Sequence, residues 1–212
     1  GVQAKPLQVI GGRGDDVVRL SRALEGQHNA FGFDGADVLS APQGGSLKGG
    51  GDNDLLIGSA TAPASLSGGA GNDTLVGGRA NVLVGGSGDD LLIALGGGNV
   101  LQGGAGLDSF VLVDGSWRGG TSPNVVTDFQ PGSDKLVLAN LANPVLQPSF
   151  SAISGGTKVQ LGADHVATLV GVTSTDLNLS RDVISQSTSS LAALSPRFQD
   201  LASLQQAAQQ SV

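Results

Sequence analysis

Gly68-Gly69-Ala70-Gly71-Asn72-Asp73-Thr74-Leu75-Val76 is the stretch that decides the fold, because its nine-residue pattern returns throughout the first half of the chain. Written as G-G-x-G-x-D-x-U-x, with U a large apolar residue, the pattern recurs in full at residues 11–19, 85–93 and 103–111. Glycine serves where the backbone needs positive φ or a close approach, so G-G-x-G-x-D predicts a turn. The last three residues suffice for a short strand with one side chain directed inward. The pattern therefore predicts stacked turns around an apolar core.

Two further copies depart from the pattern at one position each. Residues 32–40 carry Phe33 in place of the second glycine, and residues 49–57 carry Asp52 in place of the fourth-position glycine. The aspartates at the sixth position are 17 to 21 residues apart, close to the length of two nonapeptides. Each coil therefore contains two nonapeptides, of which one carries the acid.

The intervening nonapeptides keep the apolar residue but lose the aspartate. Its place is taken by His28, Gly45, Ala64, Asn81 and Asn99. In a roll with two strands per coil, alternate nonapeptides turn on opposite edges, so all the aspartates of the pattern lie on one edge. We expect the other edge to be held by backbone hydrogen bonds and by asparagine side chains, which tolerate unusual turn conformations.

The aspartate edge has the chemistry of a calcium site. Calcium prefers six to eight oxygen ligands, and neighbouring strands lie about 4.7 to 4.9 Å apart, so successive turns can share an ion. We predict up to about five sites between consecutive turns. The candidate side-chain ligands are Asp15, Asp16, Asp34, Asp37, Asn53, Asp54, Asn72, Asp73, Asp89, Asp90 and Asp108. The other candidates, for their turn carbonyls, are Gly11, Arg13, Gly32, Gly49, Gly51, Gly68, Ala70, Gly85, Ser87, Gly103 and Ala105.

Residues 11–111 resemble the repeats-in-toxin (RTX) family of secreted bacterial proteins, whose repeat is this nonapeptide. The resemblance implies a right-handed parallel β-roll that folds on binding calcium. It also implies export through a type I secretion apparatus and a carboxy-terminal export signal.

The chain after the roll has a different pattern. Residues 112–186 contain short β-prone runs bounded by Gly, Pro, Asn and Ser, and they predict a β-rich cap that covers the last coil. Asp128 and Asp134 flank a Pro-Gly turn and are secondary calcium candidates, although such aspartates more often only form the turn. The predicted domains are thus an all-β parallel roll at 1–111, the cap at 112–186 and a helical or irregular tail at 187–212.

The tail leaves two interpretations open. Ser195-Pro196 suits a helix start, and Phe198, Leu201, Ala202 and Ala208 could form one helix face. No charged residue follows Asp200, which resembles the uncharged end of a type I export signal. A packed amphipathic helix is the other interpretation.

Composition limits the partners. The net charge of −7 disfavours nucleic acid and favours a cation, and no apolar run is long enough to span a membrane. The chain contains 35 glycines among 212 residues, which alone would suggest disorder, but the fixed offset of the aliphatic residues argues against it. Methionine is absent even at position 1, so we expect the chain to be part of a longer secreted, extracellular protein.

Three function classes remain. A calcium-dependent module that supports folding and export of a larger protein is favoured. An extracellular polysaccharide-binding, surface-layer or adhesin module with structural calcium is the alternative, and Trp117 could stack on a sugar. A self-sufficient enzyme is disfavoured, because neither G-x-S-x-G nor H-E-x-x-H occurs and His28 and His165 have no second histidine nearby. We expect any catalytic domain upstream of residue 1.

Overall fold

The computed structural model describes residues 7–20, 28–113, 122–139 and 147–186. Two sheets, A and B, are formed by strands that alternate along the chain. Sheet A contains the odd-numbered strands of the roll: β1 (Gln8–Arg13), β3 (His28–Asp34), β5 (Gly45–Gly51), β7 (Ala64–Ala70), β9 (Val82–Ser87), β11 (Val100–Ala105) and β13 (Asn124–Val126). Sheet B contains β2 (Val17–Arg19), β4 (Val38–Ser40), β6 (Leu55–Ile57), β8 (Thr74–Gly77), β10 (Leu91–Ala94), β12 (Ser109–Val113), β14 (Lys135–Ala139) and β18 (Val183–Gln186).

All the strands of sheet B pair in parallel, and so do β1 to β13 of sheet A. Beyond β13, sheet A continues with β17 (Asp164–Val170), which is parallel to β13, and then with antiparallel β16 (Gly156–Leu161) and β15 (Pro148–Ile153). A single helical turn, α1 (Leu179–Asp182), precedes β18. The predicted all-β parallel roll with a β-rich end is confirmed. Parallel pairing continues past residue 111, so a domain boundary there stays a prediction.

The core lies between the two sheets. Along each strand, alternate side chains point inward, and these form one leucine-rich cluster. On sheet B its members at the U position are Leu39, Leu56, Leu75, Leu92 and Phe110, all fully buried. Sheet A supplies Leu47, Leu66, Leu83 and Leu101 from the intervening nonapeptides. Each repeat thus contributes one large side chain to a continuous stack.

The strands of sheet A are longer than the pattern predicts. The first three residues of the motif, such as Gly68 to Ala70 in β7, belong to the strand and not to the turn. Second-position glycines pair with one another from coil to coil, as Gly69 does with Gly86. Their φ values lie between 109° and 135° at Gly50, Gly69, Gly86 and Gly104. Glycine is required at this position within the strand, because the backbone of the adjacent coil is in contact with it.

The two departures from the pattern keep this backbone conformation. Phe33 has a φ of 87° and Asp52 a φ of 68°, although both carry a β-carbon. Non-glycine residues with such φ values store strain of about 1–3 kcal/mol.

The tail prediction for residues 187–212 and Trp117 lie outside the described residues. Within them, no helix has the length and apolar character needed to cross a membrane.

We predict that Gly86→Ala destabilises the roll by about 3 kcal/mol or more, because its new methyl group would overlap the carbonyl oxygen of Gly69 at a φ of 126°. The control is Gly12→Ala at the same motif position in the first coil, where no atom lies within 4 Å of the added carbon. It should change the free energy of unfolding by about 0.5 kcal/mol or less. Chemical denaturation in calcium measures both, and equal losses would contradict the steric explanation.

Candidate metal-binding edge

A column of buried aspartates runs along the edge where the chain passes from sheet A to sheet B. Each is at most 3% exposed. In each, Oδ1 accepts a hydrogen bond of 2.8–3.1 Å from the backbone N–H of the aspartate one coil earlier. With the N–H donor named first and the Oδ1 acceptor second, the pairs are Asp16 and Asp37, Asp37 and Asp54, Asp54 and Asp73, Asp73 and Asp90, Asp90 and Asp108, and Asp108 and Asp134. Side chains therefore tie every coil to the next.

The second carboxylate oxygen of the column faces a glycine. The Oδ2 atoms of Asp37, Asp54 and Asp108 are buried and have no hydrogen-bond partner among the described residues. A β-carbon on the first glycine of the same repeat would overlap Oδ2, and this holds at Gly11, Gly32, Gly49, Gly68, Gly85 and Gly103. At Gly32 and Gly49 the same position also lies 2.8 Å from the carbonyl oxygen of the first glycine in the following coil. Negative oxygens from two coils thus converge beside Gly32 and Gly49.

Burial determines the protonation of this column. The pKa of Asp54 is raised to about 7, mainly by desolvation; the N–H of Asp37 opposes the rise, and the carboxylates of Asp73 and Asp37 add to it. Desolvation likewise raises the pKa of Asp108 to about 6, with Asp134 and Asp128 adding to it. The pKa values of Asp37 and Asp134 are also raised, mainly by burial. Without a positive partner, these four carboxyl groups favour the protonated state.

The donor set fits a hard divalent cation. Within the described ranges no three His, Cys, Asp or Glu side chains gather around one point. An ion between two coils would therefore take carboxylate oxygens from at most two side chains and complete its shell with backbone carbonyls. Calcium accepts such a mixed oxygen shell, whereas zinc would require His or Cys ligands that this edge lacks.

Residues 7–188 match the family described as Peptidase M10 serralysin C terminal. The chain belongs to this family. The match covers the C-terminal repeat region of the family's proteins and not their catalytic peptidase domain, and the RTX resemblance is confirmed. No curated protein matches the chain.

Two solved structures are similar to this serralysin C-terminal chain. One is the extracellular lipase LipA from Serratia marcescens, with 18% identity, a TM-score of 0.32, and coverage of 87% of this chain and 40% of the lipase. The other is a subunit of the mannuronan C5-epimerase from Azotobacter vinelandii, with 21% identity, a TM-score of 0.28, and coverage of 87% and 84%. The chain thus spans well under half of the lipase.

The fifth motif position forms a second ladder on the outside of the same edge. Here a side chain accepts from the backbone N–H one coil later, at 2.6–2.9 Å, which is the reverse of the direction in the buried column. The acceptors are Asp15, Asn53, Asn72 and Asp89. These four candidate ligands therefore already tie coils together in the serralysin C-terminal fold, and a ligand role for them stays a prediction.

The third motif position lies at the end of each sheet A strand. Its carbonyl at Asp34, Ser87 and Ala105 accepts the N–H of the fourth-position glycine one coil earlier, at 2.7–2.8 Å. Each carbonyl keeps a second lone pair for a metal. Arg13 and Asp34 form an exposed ion pair of 3.8 Å, which contributes little to stability. Gly51 and Ala70 pair in register at the same level, and their ligand role stays a prediction.

The two secondary candidates have different surroundings. Asp128 accepts hydrogen bonds from the N–H groups of Gly103 and Gly104, at 3.0 and 2.9 Å, so it holds the last glycine pair. Asp134 extends the buried column by one coil, and its Oδ2 accepts the N–H of Gln130 at 2.8 Å. This membership could have been found in the sequence, because Asp134 precedes Leu136 by two residues as Asp108 precedes Phe110. The metal role of both stays a prediction.

An ion pair lies beyond the end of the column. Asp182 is buried and forms a 2.6 Å contact with Arg181. The hydrogen bond from this guanidinium lowers the pKa of Asp182 to about 2. Asp182 also accepts the N–H of Gly132, in the turn before Asp134. Beyond the last aspartate of the column, Arg181 therefore supplies the positive charge beside Asp182.

The opposite edge, which we expected to be held by backbone hydrogen bonds and asparagine side chains, holds a buried amide ladder. The side-chain oxygen of Asn99 accepts the N–H of Asn81 at 2.8 Å, and that of Asn124 accepts the N–H of Asn99 at 3.0 Å. The Asn99 amide also donates to the carbonyls of Gly78 and Gly96. His28 occupies the same level and accepts the N–H of Leu7 through Nδ1. The amide ladder links three successive coils, and its end atoms, Asn81 Oδ1 and Asn124 Nδ2, are buried without a hydrogen-bond partner among the described residues.

The raised pKa values predict that the metal-free chain gains structure on acidification. For Asp54 and Asp108 the folded-state pKa exceeds that of an unfolded aspartate, about 3.9. Their contribution to stability is therefore fully present below about pH 4 and is lost as the pH rises through 6 and 7. We expect a stronger β signal in circular dichroism at pH 5 than at pH 8 for the calcium-stripped chain. No gain at pH 5 would contradict the assigned pKa shifts.

We predict that Asn99→Ala costs about 3 kcal/mol of stability, because it removes the hydrogen-bond partners of several buried backbone groups. The exposed Ser65→Ala on the sheet A strand β7 is the control and should change the stability by about 0.5 kcal/mol or less. Denaturation in saturating calcium measures both variants. A loss for Asn99→Ala as small as that of the control would show that the amide ladder is dispensable.

Proposed function

We propose that this chain is a calcium-binding module that folds when several calcium ions occupy the aspartate edge. The observation that carries the proposal is the set of buried Oδ2 atoms of Asp37, Asp54 and Asp108, which face the first glycine of their repeats and have no hydrogen-bond donor among the described residues. Asp37, Asp54 and Asp108, with the glycine carbonyls beside them, would hold the ions. Calcium, when bound, supplies the positive charge that neutralises oxygens of two adjacent coils.

Folding and ion binding are coupled because neither the carboxylates nor the glycines favour the roll alone. Two carboxylates about 5 Å apart repel each other by about 0.8 kcal/mol even at the dielectric constant of water, and by more where water is excluded. Glycine loses more conformational freedom on folding than any other residue, and the chain contains 35 of them. Each ion turns one repulsive gap into an attractive one, so the array forms cooperatively.

We further propose that the module belongs to a larger secreted bacterial protein that leaves the cell through a type I apparatus. The matched family is the C-terminal region of a peptidase, which supports a host domain elsewhere in the protein. Extracellular calcium modules bind at about 10⁻⁴ to 10⁻³ M, far above cytosolic free calcium. The chain would then stay unfolded in the producing cell and fold outside it.

Asp54→Asn tests the metal role of the column separately from its hydrogen-bond role. The amide keeps an oxygen that can accept the N–H of Asp37, at 2.8 Å in the wild type, but it removes the charge. We expect the calcium concentration at the folding midpoint to rise by roughly tenfold, since a charged oxygen is lost from two adjacent gaps. A calcium titration followed by circular dichroism gives the midpoint.

The matched control is Asp164→Asn, which removes the same charge from an exposed position at the start of β17. Its midpoint should equal that of the wild type. The metal-free Asp54→Asn chain should also keep or gain β structure at pH 8, because a charge that burial disfavours is gone. An unchanged midpoint for Asp54→Asn would refute the calcium assignment.

A polysaccharide-binding role is the second candidate, and one strained residue favours it. Phe33 is 51% exposed at a φ of 87°, in the place of a motif glycine. Its ring lies 6.4 Å from that of Phe31, over which Lys48 Nζ stands at 5.9 Å. The exposed Phe33 ring, with Lys48 and the half-buried Phe31 beside it, is a surface on which an anionic sugar could stack, and strain retained at such a place suggests a function.

Phe33→Gly separates strain from binding. The substitution should stabilise the roll by about 1 kcal/mol, because it restores the residue that this φ favours. If the surface binds polysaccharide, retention on an immobilised anionic polysaccharide should fall for the same variant. Equal retention of the wild type and Phe33→Gly, each in calcium, would exclude this face as a sugar site.

A further inference from the structure

The side-chain nitrogen of Asn99 lies among more oxygen atoms than it has hydrogens to donate. Nδ2 is 2.7 Å from the carbonyl oxygen of Gly96 and 2.9 Å from that of Gly78. Oδ1 of Asn124 lies 3.0 Å from the same nitrogen. We call these three oxygens the oxygen cage. An amide nitrogen carries two hydrogens, so the cage holds one acceptor more than Nδ2 can satisfy with a hydrogen of its own.

The oxygen cage joins three successive coils. Gly78 lies in the coil before Asn99, where its carbonyl oxygen is beside Gly96. Asn124 begins β13 in the coil that follows. Asn99 and Asn124 have no exposed surface, so the cage is part of the interior of the turns. A single nitrogen thus holds the oxygens of three coils together.

The hydrogen bond on the other side of the amide fixes its orientation. Oδ1 of Asn99 accepts the backbone N–H of Asn81 at 2.8 Å. Exchanging the oxygen and the nitrogen would direct Oδ1 at three other oxygens and Nδ2 at an N–H donor. The nitrogen therefore belongs in the oxygen cage, where the positive end of the amide dipole attracts the surrounding oxygens.

Asn81 repeats this bridge with fewer oxygens. Its Nδ2 donates to the carbonyl oxygen of Arg79 at 2.6 Å and to that of Ser59, one coil earlier, at 3.2 Å. Both amides therefore connect oxygens of neighbouring coils. On the aspartate edge, the same connection is the role proposed for calcium.

Asn99 and Asp54 differ at the atom that decides whether a cation can bind. Each accepts through Oδ1 a backbone N–H from the preceding coil. The other terminal atom is a donor nitrogen at Asn99, whereas at Asp54 it is a buried oxygen without a hydrogen-bond partner among the described residues. Calcium takes oxygen ligands, so an amide nitrogen in the middle of the oxygens excludes it.

We propose that Nδ2 of Asn99 takes the place of a cation in the oxygen cage and thereby keeps calcium off the edge that carries the amide ladder. The inference rests on the calcium binding proposed for the aspartate edge, and it names the residue that confines the ions to one edge. Removing the nitrogen while adding an oxygen should therefore create a calcium site.

Asn99→Asp makes this exchange with almost no change of size. The carboxylate can still accept the N–H of Asn81 through one oxygen, and its other oxygen would face the oxygen cage. Four oxygens without a donor repel one another, but they suit calcium, and water can complete the shell at the half-buried Gly98. We expect this variant to bind one calcium ion more per chain than the wild type.

Equilibrium dialysis of the full chain in millimolar calcium, at a pH where aspartate is ionised, counts the bound ions. Asn99→Ala removes the nitrogen without adding an oxygen and should bind the wild-type number. Asn29→Asp makes the same chemical exchange at a half-buried position of β3 and should also bind the wild-type number. In denaturation at several calcium concentrations, the stability of Asn99→Asp should rise more steeply with calcium than that of Asn99→Ala, because one more ion binds to the folded chain.

A wild-type number of ions in Asn99→Asp would overturn the proposal. An equal gain in Asn29→Asp would also overturn it, since the extra ion would then follow the added charge and not the oxygen cage. The same holds if Asn99→Asp stays unfolded at a calcium concentration that folds Asn99→Ala, because a cation in the cage should replace the lost donor. A wild-type chain that binds no calcium would instead refute the proposed function, whereas the role of Asn99 is judged by the difference between Asn99→Asp and the wild type.

Discussion

The buried aspartate column is the constraint on which the rest of the structure depends. Each carboxylate gives one oxygen to the neighbouring coil and directs the other at a glycine that has no side chain. The hydrogen bond to Oδ1 sets the stacking of the coils. The other oxygen, Oδ2, leaves a negative charge that the column cannot neutralise itself. Beyond the column, at Asp182, the side chain of Arg181 provides such a positive charge. The same residues that fix the geometry therefore make it conditional on a cation or on protons.

The two edges of the roll solve one problem with different side-chain chemistry. Both must satisfy backbone N–H and C=O groups in tight turns on successive coils. An asparagine has an acceptor and two donors, so Asn99 can bond to N–H and C=O groups together. An ionised aspartate has only acceptors, so Asp54 accepts one N–H through Oδ1 and its Oδ2 has no hydrogen-bond partner among the described residues. Asn99 thus satisfies backbone groups without introducing a charge, whereas Asp54 leaves a buried carboxylate oxygen that a cation can neutralise.

Periodicity made the main features of the fold predictable. The U position identified Leu56, Leu75 and Leu92 as core residues, and the spacing of the acids placed them on one edge, because both depend on local repeats. The strand lengths were not predictable from glycine content. Gly69 lies in a strand because adjacent coils approach closely, which is a property of the stack. The burial of Asn99 and of the outer face at Ile93 also depends on other coils or layers, so no window of nine residues contains it.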